Sequence, residues 1–165
     1  MNEQLNNLIE ALREELKQYG EMLALLDQEQ ELVMQRQTHS IAPCVSAINA
    51  QADTLQAVRL EREQRRRHLA RTLQLGEDIG LREMTPRLPS PYQPLVQALV
   101  QENKELLVRV QQRARQNHLL LSRMVELMQK LISSILPGTG PATYNEGGLV
   151  LAPTLPHQQL YDAIG

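Results

Sequence analysis

Leucine, isoleucine, valine and methionine recur along most of this chain at steps of three and four, the spacing that places side chains on one face of an α-helix. The first run carries Leu5, Leu8, Ile9, Leu12, Leu16, Tyr19, Leu23 and Leu26. At about 100° per residue these occupy only about 100° of the helix surface, so a one-sided helix is predicted over residues 3–37. Thr38-His39-Ser40-Ile41-Ala42-Pro43 then supplies capping residues and a proline suited to a first helical turn. A second helix is predicted over 42–75 on Val45, Ile48, Ala52, Leu55, Val58, Leu69 and Leu73. Its stripe is interrupted at Arg62, Arg65 and Arg66, and Leu75-Gly76 reads as a glycine cap.

Residues 77–92 have little periodicity and lead through Pro86, Pro89 and Pro91 to Pro94, which predicts an irregular connector with one short helical turn within 79–84. A third helix, predicted over 93–136, runs without a breaker along a seam that includes Leu99, Asn103, Leu106, Val110, Ala114, Asn117, Leu121 and Met124. Three helices of this length imply an all-α fold, an elongated, coiled-coil-like antiparallel bundle.

The end of the third helix departs from the pattern. In QNHLLLSRMVELMQKLISSILPG, the residues Leu120, Leu121, Met124, Val125, Leu127, Met128, Leu131, Ile132, Ile135 and Leu136 sweep roughly 180°, with Leu119 outside the arc. A helix packed on one core needs a stripe little wider than about 100°, so this stretch has a second surface to cover. Residues 137–165 then form a tail rich in glycine and proline that cannot continue the helix, but it keeps apolar residues at 149–151 and at Leu160, Tyr161 and Ile164.

Composition narrows the classes of function. The chain has 165 residues, no Trp, no Phe and a formal charge of -2, the alphabet of long helices with no global attraction to nucleic acid. MNEQLNNLIEALREE lacks the basic start and unbroken apolar core of a secretory signal, and no apolar run of about 18 residues occurs. A lone cysteine, Cys44, cannot form an internal disulfide, which fits a reducing cytoplasm. The four histidines, His39, His68, His118 and His157, fall on different segments without metal-ligand spacing. Phosphate-binding loops and nucleophile motifs are also lacking, so neither an enzyme nor a cofactor is expected. RLEREQRRRHLAR, residues 59–71, is the one place to seek RNA or anionic lipid. Its Glu61–Arg65 and Glu63–Arg67 spacings suit a solvated helix face, and no aromatics interleave for base stacking.

Asn103 and Asn117 sit on the seam of the third helix, where polar residues commonly set helix register. The alternative for Asn117 is a bond to the backbone of a bound peptide. Met124 and Met128 have a similar double reading, as core filler or as adaptable groove residues.

Several of these features together resemble the FlgN family of flagellar export chaperones: Tyr19 midway along a long first helix, an arginine-rich second helix ending in LQLG, the proline-rich connector, QNHLLLSRM and TYNEGG. His118 stands where members often have glycine. The resemblance implies a cytosolic chaperone for the C-terminal segments of the hook-filament junction proteins FlgK and FlgL, delivering them to the export gate of the type III apparatus. The residues themselves point to neither a nucleic-acid partner nor membrane insertion. The resemblance also puts client binding in the C-terminal part, where the wide apolar arc lies. The expected contact residues are Asn117, Leu120, Leu121, Met124, Leu127, Met128, Leu131 and Ile135, in a groove on the face of the third helix turned away from the other two. Tyr144, Leu160, Tyr161 and Ile164 are the tail's candidates for contacting the groove or the export gate. A coiled-coil protein that self-associates through the same arc is the main alternative.

Overall fold

The computed structural model describes residues 2–135; Tyr144, Leu160, Tyr161, Ile164 and the rest of the predicted tail lie outside them. The described chain is all-α: α1 (Asn2–Met34), α2 (Thr38–Thr72), a single turn α3 (Leu81–Met84) running into a 3₁₀ turn (Thr85–Arg87), and α4 (Gln93–Ile135).

Both boundaries of α2 differ from the sequence expectation. α1 ends with Arg36 in the left-handed region (φ 57°), with Arg36 N–H donating to Val33 C=O at 3.2 Å and Gln37 N–H to Leu32 C=O at 3.0 Å, a Schellman closure. That tight closure lets α2 begin at Thr38, leaving Pro43 inside the helix. The same closure recurs at the far end, where Gln74 (φ 56°) donates to Arg71 C=O and Leu75 to Ala70 C=O. Gln74, rather than Gly76, therefore takes the strained position.

α1 is the centre of the molecule, packed against both α2 and α4, whereas α2 and α4 scarcely approach each other. α2 runs antiparallel to α1: Cys44 lies against Leu25, Gln51 against Gln18 and Arg62 against Glu15. α4 runs parallel to α1, giving an up-down-up order. At the base, Leu5, Leu8, Ile9 and Leu12 pack with Leu69, Leu81, Met84, Val96 and Leu99. Further up, Tyr19, Met22 and Leu26 pack with Cys44, Ile48, Leu55, Val110 and Ala114.

A helix with an apolar stripe of about 100° covers two neighbours here because α1 also buries polar residues. Glu15, Gln18 and Glu29 are all buried, and each is bonded across or along the bundle, as buried polar groups require. Gln51 Nε2 donates to Gln18 Oε1 at 2.7 Å. Tyr19 Oη donates to Glu15 Oε1 at 3.2 Å, and Asn117 Nδ2 to Glu29 Oε2 at 2.8 Å.

Candidate functional site

The two seam asparagines fix how far α4 stays in company. Asn103 Nδ2 donates to Leu12 C=O at 2.9 Å and Asn117 Nδ2 to Leu26 C=O at 2.6 Å. Both bonds span the same 91 positions of sequence, so one register holds over this length of the parallel pair. Arg113 reinforces it through Asp27 at 2.7 Å and Gln30. Carrying the same offset to Met34, the last residue of α1, reaches Val125. Beyond that level no other described helix flanks α4, which projects about 15 Å at 1.5 Å per residue.

Burial along α4 follows this geometry. Asn117 is 1% exposed; its amide is spent on α1, which places it in the bundle interior and not on a free face. Leu120, Leu121 and Met124 are half-buried. From there to the end of α4 every residue is exposed, and Val125, Leu127, Met128, Leu131, Ile132 and Ile135 are 40% to 74% exposed. The periodicity predicts one face of this stretch on the bundle and the other forming a groove. Instead, residues 125–135 stand clear of the bundle on all sides because α1 and α2 both end at the same level. The apolar residues nevertheless keep to one side of this projecting helix. Arg123, Glu126, Gln129, Lys130 and Ser133 occupy the other.

The remaining candidates have ordinary structural roles. Arg62 lies 3.2 Å from Glu15, Arg65 2.6 Å from Glu61, Arg67 3.2 Å from Glu63 and Arg71 2.7 Å from Glu77. Arg66 is buried, bonded to Glu63 and to the Ile79 carbonyl, where it ties α2 to the connector. The hydrogen bond from Arg66 holds the Glu63 carboxyl down at about 2. The arginine run is therefore largely neutralised by its own helix, by α1 and by the connector. Cys44 is buried with its Sγ 3.7 Å from Leu25 C=O, and burial, with Glu29 nearby, pushes its thiol up; a reactive thiol needs the opposite shift. Among the described residues no group of His, Cys, Asp and Glu converges to hold a metal, and no helix is long and apolar enough to cross a membrane.

A cleft of about 270 Å³ lies where α2 and α4 stay apart over α1, lined by Leu12, Leu81, Val100 and Leu107 together with Glu15, Tyr19, Arg59, Arg62, Asn103 and Lys104. Burial pushes the Glu15 carboxyl up, against the opposing pull of Arg62, and pushes Tyr19 up to about 12. Arg62 Nε and Glu15 Oε2, 3.2 Å apart, are misaligned for a hydrogen bond. At that separation the two charges still form an ion pair inside the bundle.

Comparison with known proteins gives one match. A family model described as FlgN protein covers residues 1–150. No curated protein and no solved structure matches the chain.

Proposed function

The chain belongs to the FlgN family, and from that premise we propose that it is a cytosolic flagellar export chaperone whose clients are the C-terminal helical segments of FlgK and FlgL. The observation that carries this reading is the end of α4, where an apolar face continues past the last residue of α1 with nothing of the bundle against it. Contiguous exposed apolar surface of this kind marks an interaction site. An amphipathic client helix laid on Met124, Met128, Leu131 and Ile135 would continue the packing that α1 provides lower down. Asn117 is left out of the contact set, and Leu120, Leu121 and Leu127 form its margin.

Burying several hundred Å² at about 25 cal/mol per Å² supplies roughly 10 kcal/mol before ordering costs, enough for micromolar to nanomolar binding once those costs are subtracted. Covering the client's assembly surface in this way prevents premature association, and the export gate then takes the client over. No nucleotide or metal is required for holding it.

Calorimetry with the C-terminal segments of FlgK and FlgL tests the proposal. One-to-one binding should weaken at least about 30-fold in Met128→Asp plus Leu131→Asp, two central contacts that together contribute about 2 kcal/mol or more. Failure of both segments to bind the folded chain would sink the reading. A tight dimer by light scattering, dissociated by the same double substitution, would favour self-association through this face instead.

A further inference from the structure

The apolar face at the end of α4 is wider than one client helix covers, and the extra width lies on a definite side. Counting in sevens from Gln97 gives Gln97, Lys104, Gln111 and His118 within the bundle, then Val125 and Ile132 beyond it. The row is polar for four turns of the repeat and becomes apolar where the bundle ends. In a two-helix coiled coil the positions flanking the seam are polar or charged. Apolar flanks belong to a helix that faces two partners.

The side on which this row lies follows from Lys104, which lines the cleft opposite Arg59 and Arg62 of α2. Val125 and Ile132 therefore project toward the path that α2 would follow if it were longer. The neighbouring row through Asn103 and Asn117 faces α1 and continues as Met124 and Leu131, on the path α1 would follow. Both paths are empty among the described residues, since α1 stops at Met34 and α2 starts at Thr38.

We infer that the partner supplies two amphipathic helices, one extending the line of α1 on Met124 and Leu131, the other extending the line of α2 on Val125 and Ile132. This deepens the chaperone reading and rests on it. Each partner helix needs about three turns to span residues 125–135. The α1–α2 turn, with Met34 exposed at its rim, forms the floor on which the pair abuts. Together with α4 they make a second three-helix bundle stacked end-on to the first. In the first bundle the α2-side row is polar and α2 and α4 scarcely meet, whereas in the second the same row is apolar and the third helix closes fully.

Full-length chain with labelled Val, Leu, Ile and Met methyl groups, titrated with the FlgK C-terminal segment in the presence of a soluble paramagnetic agent, tests this without any substitution. The expected result is loss of solvent relaxation at Val125 and Ile132 as well as at Met124 and Leu131. Binding constants for Ile132→Asp and Leu131→Asp provide the second arm, each expected to weaken binding at least about tenfold. If the segment binds and Leu131→Asp weakens it, while Ile132 stays solvent-relaxed and Ile132→Asp changes affinity less than twofold, the partner is a single helix. That outcome overturns the inference and leaves the chaperone reading intact. If the wild-type chain binds neither the FlgK nor the FlgL segment, both fall together.

Discussion

Two stretches of α4 of equal length show what burial depends on. Residues 103–113 carry the large apolar side chains Leu106, Leu107, Val108 and Val110; Val110 is fully buried and only Val108 is exposed. Residues 125–135 are richer, with Val125, Leu127, Met128, Leu131, Ile132 and Ile135, yet all six are exposed. Hydrophobic content alone does not bury a helix. What differs is the reach of α1, which lies against the first stretch and ends level with the start of the second. Among the described residues nothing covers the second stretch, which makes it the candidate interface.

The sharpest way to break this comparison is to place the same charge in both stretches. Val110→Asp buries a carboxylate with no partner, a cost of several kcal/mol and comparable with the whole stability of such a bundle, so the chain should be largely unfolded by helix circular dichroism. Leu131→Asp should shift the urea-unfolding free energy by no more than about 0.5 kcal/mol while disabling client binding. Equal destabilisation by the two would mean that residues 125–135 are packed in solution.

A smaller effect is expected at the asparagines that hold α4 to α1. Asn117→Ala and Asn103→Ala remove cross-helix bonds at 2.6 and 2.9 Å, and each should cost about 1–3 kcal/mol in urea unfolding. Unchanged stability in both would show that apolar packing alone sets the register, and with it the level at which the projecting end begins.

The smallest effect concerns Glu15 in the bundled part. Its folded carboxyl is raised by burial, so between the ordinary carboxylate range and that raised value the folded state binds more protons than the unfolded one. Its contribution is thus most favourable when protonated and is lost as pH rises through the raised value. Glu15→Gln should flatten the stability profile in that window, and an unchanged profile would show that Arg62 fully offsets the burial.

Much of this architecture was legible along the chain. The uninterrupted rhythm from Leu95 to Leu136, free of glycine and proline, specified one long α4, and its excess of Leu, Ile and Met marked the candidate surface. The roles of the helices were less legible. α1 looked one-sided because Glu15, Gln18 and Glu29 have the chemistry of surface residues, and only the cross-helix bonds of Gln18 and Glu29 and the Glu15–Arg62 ion pair reveal that they lie between neighbours. Asn117 allowed two readings at one position, and its bond to Leu26 decides between them.

The amino-acid sequence by itself determined the all-α class, the three long helices and the apolar width at the end of α4, since each follows from local propensity and periodicity within a single segment. Only the tertiary structure decided that α1 is central, that α4 runs parallel to it and that the apolar width begins where α1 ends. Those are relations between segments, set by bonds such as Asn103 to Leu12 and Asn117 to Leu26 that join residues 91 positions apart, and no local pattern encodes them.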